Sequence, residues 1–216
     1  MSKLMGRAAL IVAGAAAMLA ACSQETSTPA ATGPTEVNGL KTPAAFAGLE
    51  GEARAAALFQ EMAKVMLHPR CANCHPRQGG PTQGDDFSAH VPPVIRGDGV
   101  GAAAMECSTC HGTENVEFAS MEGSVPGAEP WLLAPASMGW RGASAGELCA
   151  QVKDPELNGG RSMEDLVEHN SVDHLVNWAW HPGAGRSPAP GDQETFGALT
   201  EAWVEAGGAC PTTEES

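Results

Sequence analysis

Two pentapeptides constrain this chain more than anything else in it: Cys71-Ala72-Asn73-Cys74-His75 and Cys107-Ser108-Thr109-Cys110-His111. Each sets two thiols two residues apart and follows the second directly with a histidine, the pattern that attaches a c-type haem. Thiols at this spacing lie about one helical turn from each other, within reach of the two vinyl groups on one haem edge. The adjoining imidazole can then swing under the ring as an axial iron ligand. The sequence therefore predicts two covalently attached haem c groups, held by Cys71, Cys74, Cys107 and Cys110, with His75 and His111 as the proximal iron ligands. A zinc ribbon is the rival reading. It also uses two Cys-x-x-Cys pairs, but typically about 15–20 residues apart and with no histidine required after either.

The amino terminus predicts export. Lys3 and Arg7 precede an almost wholly apolar run, Ala8 to Ala21, too short to span a membrane stably, so residues 1–21 read as a signal peptide. Leu19-Ala20-Ala21-Cys22 resembles the lipobox of bacterial lipoproteins, which makes Cys22 the expected site of lipidation. Ser23 after it favours the outer membrane. Acyl chains anchor firmly because each buried CH₂ contributes about 0.8 kcal/mol. Residues 22–43 have the Ser, Thr, Pro, Ala and Gly content of a flexible linker reaching on the order of 25 Å, and residues 44–216 are expected to form a dihaem domain. The expected location is the periplasmic side, lipid-anchored to a membrane.

Charge narrows the partners. A formal net charge of −14 argues against nucleic acid; a redox partner protein is expected instead, with membrane contact through the lipid alone. Seven cysteines divide into Cys22, the four haem cysteines, and Cys149 with Cys210. In an oxidising compartment the last two are expected to form a disulfide worth about 3–4 kcal/mol in the chain-entropy model; two separate buried thiols are the alternative. With 26 Gly, 16 Pro, 5 Phe and no Tyr, the side chains alone make a thin core. Two macrocycles would supply the missing apolar surface. The fold class that follows is mostly α: a small multihaem cytochrome c-like domain with long Gly/Pro-rich loops around two haems.

Hydrophobic periodicity predicts a helix over Leu49–Leu67, stopped by Pro69, and a short helical lead over Ala102–Cys107. Ser144 with Glu147 makes a capping-box pattern before a short helix carrying Cys149. Ser162 is expected to cap a helix running to about Trp180, and Asp192 a last helix with Gly207 past its end. The loop after His75 carries His90, the first candidate for the distal ligand of the first haem. Met138, in the apolar segment from Trp131 to Trp140, and His68 are candidates for the second, with His169 and His174 as further options. Met62 and Met66 read as packing, and Arg70, Arg77 and Arg96 as possible propionate partners. A His/Met iron and a bis-histidine iron would make the pair a directional relay.

The segments His68 to Pro76, Leu133 to Trp140 and Trp178 to Gly191 resemble small exported dihaem cytochromes c described as isoquinoline 1-oxidoreductase subunits. That resemblance implies an electron acceptor for a dehydrogenase, since the chain carries none of the molybdopterin or iron–sulfur machinery of hydroxylation. The expected function is a membrane-tethered carrier of single electrons between a dehydrogenase or other donor and a respiratory acceptor. A peroxidase-like haem enzyme with one open iron site is the alternative, and a metal-stabilised binding lipoprotein a third.

Overall fold

The computed structural model describes residues 33–119 and 123–212. The signal peptide, Cys22 and the first part of the linker lie outside the described residues. Among the described residues six helices carry the fold: α1 (Gly51–Met66), α2 (Pro69–Ala72), α3 (Ala145–Lys153), α4 (Met163–Val172), α5 (His174–Asn177) and α6 (Gln193–Glu205). Helix α6 packs against α1 and α4, and α3 packs against α1. Their shared core holds Leu58, Phe59, Met62 and Val65 of α1, Leu148 of α3, and Leu199 and Trp203 of α6, all essentially without solvent contact. The Phe59 and Trp203 rings meet at 5.0 Å. Among the described residues no helix is long and apolar enough to cross a membrane.

Local chemistry explains most helix ends. Ser144 accepts from the Glu147 amide while the Glu147 carboxylate accepts from the Ser144 amide, and Ser162 and Asp165 do the same for α4. Pro69 does more than stop α1: it occupies the first turn of α2, where its missing N–H costs nothing, with His68 as the cap before it. The helix expected to run to Trp180 breaks at Asp173. Oδ1 of Asp173 accepts from the amides of Leu175 and Val176 and so opens α5, which passes into a 3₁₀ turn over Trp178–Trp180.

Two further stretches differ from the sequence expectation. Residues 36–41, assigned above to the linker, form a hairpin of β1 (Glu36–Val37) and β2 (Leu40–Lys41), and Leu40 is fully buried in the core. The hairpin is held further by the Lys41 amide donating to Glu61 and the Gly191 amide donating to the Asn38 carbonyl. The lead into the second pentapeptide is not helical: β5 (Gly101–Ala102) pairs with β6 (Met105–Glu106), followed by a 3₁₀ turn over Cys107–Thr109. Gly101 sits at φ +91°, outside helical space. Two further two-residue ladders, β3 (Thr82–Gln83) with β4 (Ser88–Ala89) and β7 (Val116–Glu117) with β8 (Ser124–Val125), brace the long loops. The domain is thus a helical body with four small antiparallel ladders in its loops.

Candidate haem-binding sites

Both pentapeptides wind as a single helical turn, with the histidine amide bonding back to the carbonyl of the first cysteine at 3.2 Å in one and 2.9 Å in the other. This puts the two thiols of each motif on neighbouring positions of one turn. All four thiols are unbridged, whereas Cys149 and Cys210 are joined as a disulfide. Burial pushes the Cys71 thiol up to about 12 and the Cys74 thiol to about 11, so both stay neutral. The motifs are close enough for Cys107 to raise the proton affinity of Cys74.

The two histidines are held alike. His75 Nδ1 lies 3.0 Å from the carbonyl of Met138, and His111 Nδ1 lies 2.7 Å from the carbonyl of Pro126. A carbonyl only accepts, so each Nδ1 carries the proton and each Nε2 keeps its lone pair, the arrangement of a metal-ligating histidine. Burial lowers the proton affinity of both rings, His75 to about 3, and keeps them neutral. An indole lies flat on each: Trp140 on His75 at 3.3 Å between ring centroids and 9° between planes, Trp131 on His111 at 4.6 Å and 12°. The apolar segment from Trp131 to Trp140 therefore serves both sites at once.

A glycine makes each carbonyl contact possible. A Cβ on Gly139, next to Met138, would stand 2.7 Å from Arg77 Cα; one on Gly127, next to Pro126, would stand 2.6 Å from the Gly112 carbonyl and closer still to that of Glu114. Gly139→Ala is expected to push the Met138 carbonyl off His75, costing about 1–3 kcal/mol and, if each site takes a haem, shifting the potential of one while the other holds. Gly127→Ala should shift the other. Gly48→Ala, where a Cβ meets nothing, is the neutral comparison. Paired redox titrations and melting curves check all three.

Around the first pentapeptide lies a cleft of about 150 Å³, smaller than the roughly 300–1,000 Å³ of cofactor sites, so its walls would have to part to admit a macrocycle. Cys71, Cys74 and His75 line one part of it, Met138 and Trp140 another, and His169, Val176 and Phe196 of the helical body a third. The Nε of Arg70 and the Nε1 of Trp140 are buried with no partner among the described residues, and both residues line the cleft, as does Arg161. Buried unpaired donors of this kind suit an acidic group such as a propionate. Arg77 instead reaches Glu147, and Arg96 the Ala134 carbonyl. At the second pentapeptide the surrounding loops leave Val91, Ile95, Val100, Met105, Val116 and Phe118 exposed, an apolar surface of the sort a macrocycle covers.

The candidate distal ligands are placed differently from expectation. His90, expected at the first site, stands at the second, its ring centroid 6.0 Å from that of His111. Met138, expected at the second, lines the first. His68 accepts from the Arg70 amide through Nδ1, so the neutral ring carries its proton on Nε2, the wrong tautomer for iron there. Met62 is in the core, while Met66 lines the first cleft. His174 lines a separate hollow with Asn115 and His181. Asn115 ties the regions together: its Oδ1 accepts from Trp178 Nε1 and the Gly127 amide, and its Nδ2 donates to the His181 carbonyl. Arg186 binds Ser124, and Ser187 binds Asp85, so residues 178–191 strap the loops around both pentapeptides to the helices. Nothing in their periodicity announced this, because the contacts run between loops far apart in sequence.

Among the described residues no group of three or more His, Cys, Asp and Glu side chains gathers as a metal site. No protein-family model, curated protein or solved structure matches the chain.

Proposed function

We propose that the chain is a c-type cytochrome, with one haem joined to Cys71 and Cys74 and a second to Cys107 and Cys110. Each thioether forms by addition of a thiol S–H across a vinyl group, so no atom is lost and no oxidant is needed. The carrying observation is the matched state of the two histidines: Nδ1 engaged by a carbonyl, Nε2 free, an indole on the ring face. A zinc ribbon needs both cysteine pairs on one ion, and each pair here has its own histidine and its own surroundings.

The particular function we infer is electron carriage, between a donor dehydrogenase and a respiratory acceptor, by an exported protein tethered through Cys22. Bound haem supplies one-electron chemistry; the residues of this chain orient the imidazoles, wall off the first site and bring the two sites together. Trp178 lines the first cleft, and its indole meets Trp131, the indole on His111, edge-on at 5.2 Å. This indole pair gives electrons a packed path between the sites.

The test is a denatured-haem spectrum and a redox titration of the exported, lipid-anchored protein. Two c-type haems per chain, both cycling reversibly, are expected. A sample without c-type haem sinks the reading, and rapid turnover of peroxide would replace the carrier by the enzyme.

A further inference from the structure

We infer that His169 is the distal ligand of the first haem iron, facing His75 across the cleft, and that His90 is that of the second. This rests on the haem reading and deepens it by giving both irons two histidines.

His169 sits near the end of α4 and lines the same cleft as Cys71, Cys74 and His75. Its Nδ1 lies 3.2 Å from Asp173 Oδ2. A carboxylate accepts only, so the proton is on Nδ1 and the lone pair on Nε2, and a carboxylate behind a ligating histidine also raises its basicity. An ordinary surface ion pair is the plain alternative for this contact. The ring is half-buried and lines the cleft, unlike a freely exposed pair. Asp173 is itself immobilised: Oδ1 takes the Leu175 and Val176 amides, and its carbonyl takes Gln193 Nε2. Next to His169, the buried Asn170 donates to Thr200 Oγ1 of α6 at 3.0 Å, which locks the turn to the core. The helix break at Asp173 thus yields a fixed imidazole with a free Nε2.

The competitors at the first iron are poorer. Met138 lines the cleft, but its carbonyl is engaged by His75 and the residue is packed among the core side chains. Met66 ends the helix that leads to the pentapeptide itself, and it is packed among the core side chains.

A separate observation carries His90. Its Nδ1 lies 2.9 Å from the Pro92 carbonyl, so it too keeps a free Nε2. Two imidazoles sharing one metal through bonds of about 2 Å hold their centroids roughly 6 Å apart, and His90 and His111 stand at 6.0 Å.

The test uses the full-length, haem-loaded protein. The wild type is expected to show two low-spin haems, no carbon monoxide binding on reduction, and no near-infrared thioether-to-iron band. His169→Ala should keep both covalent haems, turn half of the low-spin signal high-spin and admit one carbon monoxide per chain. His90→Ala should do the same independently, and the double variant should admit two. His174→Ala should change nothing. If His169→Ala fails to fold, His169→Met keeps six-coordination and should introduce the thioether band on one haem, with a raised potential. A thioether band in the wild type, or a His169→Ala protein with both haems still low-spin and closed to carbon monoxide, overturns the assignment for the first iron; the same result with His90→Ala overturns the second. Loss of c-type haem from the wild type would instead refute the haem reading itself.

Discussion

Changing Cys71 and Cys74 together to serine should leave one haem per chain and lower stability far more than the same change at Cys107 and Cys110. The two pentapeptides look equal in sequence, and their surroundings are not. The first is built into the helical body: Ala72 and Asn73 are buried, Asn73 bonds Thr82 and the Gly84 carbonyl, and the cleft is walled by Met66, Ala179 and Phe196. A macrocycle lost from there removes more buried apolar surface than any side chain, and truncating a single buried Phe or Trp already costs about 3–5 kcal/mol. Against a typical total of about 5–15 kcal/mol, that variant is expected to unfold at or near ambient temperature. The second pentapeptide lies on loops, with Cys110 exposed and Ser108 and Thr109 facing solvent. Its double variant should keep the helical body folded and melt within a few degrees of the parent. It should also self-associate more, because Val91, Ile95, Val100, Val116 and Phe118 stay uncovered. Haem-to-protein ratios, calorimetry and light scattering on the two variants check this. Equal melting temperatures would mean that the first cleft is not the one a haem fills.

How much of this was legible beforehand follows the range of the interactions. The pentapeptides, the caps at Ser144, Ser162 and Asp192, and the stripe of α1 are local patterns, and they read directly. Asp173 is local too, but it follows a periodic apolar run that continues past it, so propensity alone could not say that its side chain would end one helix and begin the next. Leu40 was hidden by its polar neighbours. The histidines were the hardest, because sequence distance was used as a guide to which face of which haem each could reach. His90 is nearer to the first pentapeptide along the chain, yet the ladder β3–β4 and the loop after it carry it to His111. Met138 is nearer to the second, yet the approach of Gly139 to Arg77 draws it back to His75. The second exchange depends on a glycine contact between distant segments, which leaves no periodic trace, and the first on a two-residue ladder too short to show in the periodicity. If both irons take two histidines, as proposed, a difference in potential between the sites has to come from burial and hydrogen bonding rather than from the His/Met and bis-histidine asymmetry expected from the sequence.

Removing the disulfide by Cys149→Ala with Cys210→Ala is expected to be the second large effect. The bridge joins α3 to the segment after α6, across a sequence separation of 61. Closing a loop of that length restricts the unfolded chain by about 4 kcal/mol in the entropy model. At roughly 2–4 °C per kcal/mol for a chain of this size, melting should fall by about 8–16 °C. Alanine is the right replacement because Cys149 is fully buried against the core, where a serine hydroxyl would add a desolvation penalty unrelated to the bridge. The thioethers are carbon–sulfur bonds and survive a thiol reductant, so both haems should remain attached when the bridge is opened. Comparing parent and variant at one iron oxidation state, rather than adding reductant to the parent alone, separates the bridge from the iron. The closed loop also contains α4, α5 and residues 178–191, the parts that bring His169 to the cleft and strap the haem loops. Opening it should therefore loosen the distal side of the first site before the proximal side, which Met138 and Trp140 hold from outside the loop. On warming, the variant is expected to bind carbon monoxide at one haem below its melting temperature, while the parent stays closed until it unfolds.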